Sequence, residues 1–126
     1  MSTNKTQNYA LHSWLPTDDF QLSELNQNFA ALDAAARIIH GTYKGTGSDT
    51  FQTIELGIQP LLVLVMAAEG PNVGNMATIG LATRTRSGGR SSLSIKETGF
   101  EVGIDWLNLN GVGVNAFIYL ALVPGV

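Results

Sequence analysis

The sequence predicts a mainly β protein: an N-terminal arm, a coiled-coil-like helix, then an antiparallel β-sandwich. Three observations carry that class. All 14 glycines stand at or beyond Gly41. Before Gly41, the apolar residues recur at helical spacing. After it, short alternating runs rich in β-branched residues are separated by Gly-containing turns, with no second helical pattern. The expected boundaries are an arm at 1–17, an oligomerising helix at 18–40 and a β-sandwich domain at 41–126.

The helix is expected to start at Asp18, because Pro16 disfavours helix at Leu15. Asp18 and Gln21 have the spacing of a capping box, and Asp18, Asp19 and Glu24 place negative charge at the positive end of the dipole. Gly41 is the expected stop, with Arg37 and His40 in the last turn. Leu22, Leu25, Phe29, Leu32, Ala36 and Ile39 are separated by alternating steps of three and four, the a/d seam of a coiled coil. A globular helix normally carries a wider apolar stripe. The pattern therefore favours self-association through Leu22, Leu25, Phe29, Leu32 and Ile39 over a helix lying on its own domain.

In the β part, Thr42 to Lys44 leads into a Gly45-Thr46-Gly47 turn. Ile54, Leu56 and Ile58 alternate with polar residues and Gly57. Leu61 to Ala68 is continuously apolar, as in a strand buried on both faces. Ala77 to Arg86 and Arg90 to Glu97 read as a hairpin. A Gly88-Gly89 loop would mismatch its apolar faces, whereas a Ser87-Gly88-Gly89 loop pairs Leu81 with Ile95 and Thr83 with Leu93. Phe100, Val102 and Ile104 alternate with Glu101, Gly103 and Asp105. Trp106 continues the even face while Leu107 and Leu109 do not, which predicts a bulge or turn at Asp105 to Leu107. Val114 to Val123 is the last strand.

Function classes narrow by exclusion. Charged residues are 13% of the chain and the net charge is −3. No basic footprint for nucleic acid is present. The chain has no cysteine, which removes disulfides, thiolate metal sites and cysteine nucleophiles. Gly111-Val112-Gly113-Val114-Asn115-Ala116 matches a dinucleotide fingerprint formally, but runs into a strand pattern rather than a helix. His12 and His40 are the only histidines. Glu97, Glu101 and Asp105 share the outward face of a strand and read as a solvated face. Asn4-Lys5-Thr6 is a glycosylation triplet of a kind common by chance. The reading is a non-enzyme with no catalytic, cofactor-binding or metal residues. No signal peptide or membrane-length apolar run is visible, so membrane insertion is not expected and synthesis is expected in the cytoplasm.

Two groups are left as interaction candidates. Tyr9, Leu11 and Trp14 are apolar or aromatic residues in an arm too polar to fold alone, a composition that suits binding to another protein. Arg84, Arg86 and Arg90 are three of the seven basic residues. In the three-residue-loop register they share one face, with Arg86 opposite Arg90, where an anion or carboxylate would relieve the repulsion. A solvated tip, or contacts to glutamates of a neighbouring subunit, is the alternative.

Thr6-Gln7-Asn8-Tyr9-Ala10-Leu11, Trp14-Leu15-Pro16, Asp19-Phe20 and Asn26-Gln27-Asn28-Phe29-Ala30-Ala31-Leu32-Asp33 resemble the N-terminal segment of bacteriophage and prophage tail-fibre proteins. Gly41-Thr42-Tyr43, Gly45-Thr46-Gly47, Ile54 to Pro60 and Val63-Leu64-Val65-Met66 are similar to the first half of the receptor-binding tip of such fibres. Gly99 to Val102, Leu109-Asn110-Gly111 and Ile118 to Leu122 are similar to its second half. The resemblance spans nearly the whole chain through short motifs in a consistent order. It implies a homotrimer in the virion, made in the bacterial cytoplasm and joined to a tail or baseplate protein through the arm. It also implies a tip that contacts host cell-surface polysaccharide, with Arg84, Arg86 and Arg90 as the candidate receptor contact. The chain has no repeated shaft between helix and tip. A baseplate or collar plug without a receptor role, or a free lectin-like glycan-binding module, are the alternatives.

Overall fold

The computed structural model describes residues 1–47 and 50–125. It divides into two compact units, Met1–Ala36 with Pro124–Val126, and Arg37–Val123. The fold is mainly β, with antiparallel sheets and one α-helix.

In the first unit, β1 (Asn4–Lys5) pairs with β2 (His12–Ser13). Thr6 closes the hairpin, its N–H donating to Leu11 O and its Oγ1 accepting from Leu11 N. The arm is therefore folded, contrary to the expectation from its polarity. Its stability comes from the helix it packs on, as the next section shows.

Helix α1 spans Leu22–Ala34, shorter at both ends than the sequence predicts. Gln21, not Asp18, is the N-cap, and its side chain makes no capping bond. The Asp18 carboxylate instead accepts from the N–H of Leu15 at 2.7 Å and from the N–H and hydroxyl of Thr3. These three donors leave its carboxyl below the usual range, the Thr3 hydroxyl contributing most and the Leu15 N–H next.

At its other end the helix stops because Arg37–Tyr43 forms strand β3. Ala35 is already extended, at φ −71° and ψ 143°. All seven residues of β3 pair with the last strand, Phe117 to Val123, in unbroken register. That ladder outweighs a helical turn offering only Ala36 and Ile39 to a seam. Ile38, Ile39 and Thr42 are β-branched and suit a strand better. Gly41 is thus no helix stop: a Cβ there would lie 2.6 Å from the Tyr119 hydroxyl on the neighbouring strand, so only glycine leaves room for that ring.

The remaining strands are β4 (Gln52–Glu55), β5 (Leu62–Ala67), β6 (Asn72–Val73), β7 (Met76–Ala77), β8 (Ile79–Thr83), β9 (Leu93–Lys96), β10 (Gly99–Val102) and β11 (Phe117–Val123). They form a four-stranded sheet β3-β11-β5-β8, a three-stranded sheet β4-β10-β9 and a small β6-β7 ribbon. The two larger sheets share one core, the architecture of a sandwich. From the first sheet come Tyr43, Val63, Val65, Ala67, Ala82, Phe117, Ala121 and Val123; from the second, Leu93, Phe100 and Val102. Tyr43 stacks on Phe117 at 5.1 Å, and Phe100 meets Tyr119 edge to face at 5.1 Å. The Tyr43 hydroxyl donates to Leu109 O at 2.7 Å, and burial pushes its pKa up.

The expected β8–β9 hairpin does not form. β8 pairs with β5 and β9 pairs with β10, so the chain crosses between sheets there. The inward residues of β8 are Gly80 and Ala82, not Leu81 and Thr83. Gly80 is crowded by Leu107, Leu109 and Leu93, which fill the volume a side chain would take. Large residues therefore stand outside on β8 and small ones inside, the reverse of a pattern read by hydrophobicity alone.

Candidate functional site

Helix α1 buries its polar side. At 100° per residue, Leu22, Leu25, Phe29 and Leu32 fall within an arc of about 80°. Asn28, Glu24 and Ala31 follow on the flank next to Leu32, about 40–100° beyond the edge of that arc. It is this flank that carries the arm.

Glu24 is buried and holds several partners. Its carboxylate accepts from the Ser2 N–H at 2.9 Å and the Ser2 hydroxyl at 2.9 Å, and lies 2.7 Å from His12 Nδ1. The Asn28 amide pairs with the His12 backbone as a strand would, accepting its N–H at 2.6 Å and donating to its carbonyl at 3.1 Å. Gln27 Oε1 meets His12 Nε2 at 2.7 Å. Burial pushes the Glu24 carboxyl up. Hydrogen bonds from Ser2, with smaller contributions from Trp14 and His12, outweigh that and leave it below the usual range. The Trp14 indole N–H is itself buried without a hydrogen bond of normal geometry.

Both Glu24 and Asp18 tie the arm down through depressed carboxyls, so the sign is fixed. Their contribution is complete above the ordinary carboxylate range, about pH 4–5, and is lost as pH falls below it. The protection of amides in residues 2–13, relative to their intrinsic exchange rate at each pH, is expected to fall steeply below about pH 4. Glu24→Gln is expected to show the faster exchange already at pH 7. Unchanged exchange in that variant would mean the Glu24 contacts do not hold the arm.

Of the predicted anchoring residues, Tyr9 is exposed and Leu11 half-buried. Trp14 is half-buried, 6.2 Å from the His12 ring and 5.3 Å from the Phe20 ring. Trp14 therefore packs within its own unit, and Phe20, which the sequence reading passed over, is the more exposed aromatic.

The apolar seam is uncovered. Leu22, Phe29 and Leu32 are exposed, Phe29 at 58%, and Leu25 is half-buried. Ile39 does not belong to this seam, since it lies in β3 opposite Ala121.

A second uncovered apolar surface is the outer face of the four-stranded sheet. Its register places three rows across the strands: Thr42, Ile118, Met66, Ile79; His40, Leu120, Leu64, Leu81; and Ile38, Leu122, Leu62, Thr83. No Asp, Glu, Lys or Arg stands in them. The six most exposed apolar members, Ile38, Ile79, Leu81, Ile118, Leu120 and Leu122, are 36–63% accessible. A shallow depression of about 110 Å³ is lined by Leu64, Met66, Ile118, Tyr119 and Leu120. That is well below the ~300 Å³ at which small-molecule sites begin, so it fits a single side chain better than a ligand. The outer face of the other sheet is the ordinary kind, with rows Ser94, Glu101, Thr53 and Lys96, Gly99, Glu55. The continuous run Leu61 to Ala68 thus has one face in the core, through Val63, Val65 and Ala67, and one face open, through Leu62, Leu64 and Met66.

The three arginines each hold a different contact. Arg84 donates to Pro60 O at 3.0 Å and Gln59 O at 2.9 Å, closing the turn before β5. Arg86 closes a tight backbone turn with Thr83. Arg90 lies over the Trp106 ring, its Cζ 4.0 Å from the centroid. The hairpin register that would set Arg86 opposite Arg90 is absent. The expected turn at Asp105 to Leu107 is present, with Ile104 bridged to Asn108 across it.

No protein-family model, curated protein or solved structure matches this chain.

Proposed function

We propose that the chain is a structural component of a bacteriophage tail or related particle: a short homotrimeric fibre joined to a tail or baseplate protein through its N-terminal unit. The observation that carries the self-association is the open apolar face of the four-stranded sheet. Monomeric proteins rarely leave such a face bare. β5 reads as a strand buried on both sides, and a second copy of the same face supplies the missing cover. The likeness of residues 6–33 to tail-fibre N-termini supports the particle and the trimer. Exposed Tyr9 and Phe20 are the residues best presented to a tail or baseplate partner.

Magnitudes favour both patches acting together. The six exposed sheet residues expose apolar area equal to nearly three whole aliphatic side chains, about 4–8 kcal/mol per copy when covered. The helix seam adds about 2–5 kcal/mol. Association costs about 4–15 kcal/mol in lost freedom, so the sheet face alone is marginal and the seam adds to it.

Light scattering on the full chain is expected to give three times the chain mass, and immunolabelled electron micrographs to place the chain on particle tails. A monomer at micromolar concentration, or label absent from the particles, overturns the reading. Phe29→Asp places one charge per copy in the seam and is expected to weaken the trimer by about tenfold or more, read as dissociation on dilution. An unchanged mass across the dilution series would take the seam out of the interface.

A further inference from the structure

Trp106 is 62% exposed, and nothing in the fold requires that. It sits at the apex of the tight turn between Ile104 and Asn108, where the Asp105 N–H donates to Leu107 O at 3.2 Å. The turn is fixed from below by Ser92, which is fully buried and accepts from the N–H groups of both Asp105 and Leu107 at 3.1 Å. From the side, Asp105 Oδ2 accepts from the Ser91 hydroxyl at 3.0 Å. Leu107 presses against Gly89 so closely that a Cβ there would be 2.3 Å from its Cγ. Gly89 and Arg90 are both left-handed, at φ +55° and +57°. For arginine that conformation is unfavourable. It accompanies a guanidinium that covers one face of the indole, its Cζ 4.0 Å from the centroid, while Trp106 as a whole keeps 62% of its surface open.

We infer that this turn is a binding site for a neutral saccharide. The fold holds rigid a flat apolar surface flanked by donors and an acceptor, the arrangement of a preorganised contact. The open indole face matches the C–H face of a pyranose ring. Arg90 supplies N–H donors, and Asp105 Oδ1, which has no hydrogen-bond partner among the described residues, supplies an acceptor. Vicinal sugar hydroxyls both donate and accept, so they satisfy the two groups together. An anionic ligand would meet the Asp105 carboxylate and a cationic one the Arg90 guanidinium. An apolar protein surface would strip water from both without replacing its hydrogen bonds. The site gives the host contact of the proposed fibre a location and a ligand class, and to that extent rests on that reading.

The test uses the full chain on an array of bacterial surface polysaccharides. Titrations with galactose, glucose, N-acetylglucosamine and glucuronate accompany it, in a Trp14→Phe background where Trp106 is the sole indole emitter. At least one neutral polysaccharide is expected to be retained, and a neutral sugar to shift Trp106 emission saturably. Trp106→Ala and Asp105→Asn are expected to lower retention about tenfold or more with oligomer mass and thermal midpoint unchanged. Equal retention by wild type and variants, or no retained neutral glycan, overturns the proposal. So does loss of oligomer mass in Trp106→Ala, which would make the turn a protein contact. A trimer that retains no glycan overturns this site alone, and a monomer that retains one overturns the fibre reading alone.

Discussion

Leu120→Asp is expected to turn a trimer into a monomer without unfolding the chain. Leu120 stands in the middle row of the open sheet face, between His40 and Leu64. In an isolated chain it is 44% exposed, so a carboxylate there still reaches water. In the assembly the same carboxylate would be buried among leucines of other copies, with no lysine or arginine in the three rows and only the His40 imidazole beside it. An unpaired buried charge costs several kcal/mol, and a symmetric trimer meets it three times. At about 3–5 kcal/mol per copy, that cancels most of the roughly 4–8 kcal/mol the face contributes per copy. The light-scattering mass should fall to one chain, with the far-ultraviolet circular dichroism unchanged. Thr53→Lys, on the polar outer face of the other sheet beside Glu101, should leave the mass as it is. Leu120→Asp with an unchanged mass would show that the four-stranded face is not the interface.

Phe100→Ala is expected to be the most destabilising single truncation. Phe100 is wholly buried and faces Tyr119 at 5.1 Å and Tyr43 at 6.4 Å. It comes from the three-stranded sheet and meets two of the three aromatics of the other sheet, so its loss opens the seam between the two layers. Removing a buried phenylalanine costs about 3–5 kcal/mol, and the two lost edge contacts add up to about 1 kcal/mol each. Against a typical total of about 5–15 kcal/mol, that is a large share. The thermal midpoint at fixed protein concentration should fall by more than about 12 °C. Val112→Ala, at a highly exposed position, should move it little. A fall of only a few degrees in Phe100→Ala would mean the core collapses around the missing ring.

Much of the β part was legible. Alternation named the inward residues of β10, Phe100 and Val102, and the break in parity placed the turn at Trp106. Local pattern failed where a long-range partner decided the outcome. Residues 37–43 satisfy a helical seam weakly, through Ala36 and Ile39, and a strand strongly, and only the presence of Phe117–Val123 beside them chooses the strand. The pair Ile38-Ile39 and the alternation Ile39, Gly41, Tyr43 were the signal available for it. In β8 the inward residues are Gly80 and Ala82, and no periodicity shows that Leu93, Leu107 and Leu109 need the space left there. The facing of Arg86 and Arg90 was read from that hairpin and goes with it.

The sequence by itself determined the class: one helix, then antiparallel strands, low charge, no thiol and an apolar seam. These follow from period, composition and residue chemistry, which are local. The tertiary structure alone decided which faces are open. It turned the polar side of α1 to the arm and its leucines outward. It left Leu62, Leu64 and Met66 without a covering layer, and it raised Trp106 on a turn anchored by Ser92. Each depends on which distant segment arrives to bury which face, and the apolar pattern of a strand or helix does not specify that partner.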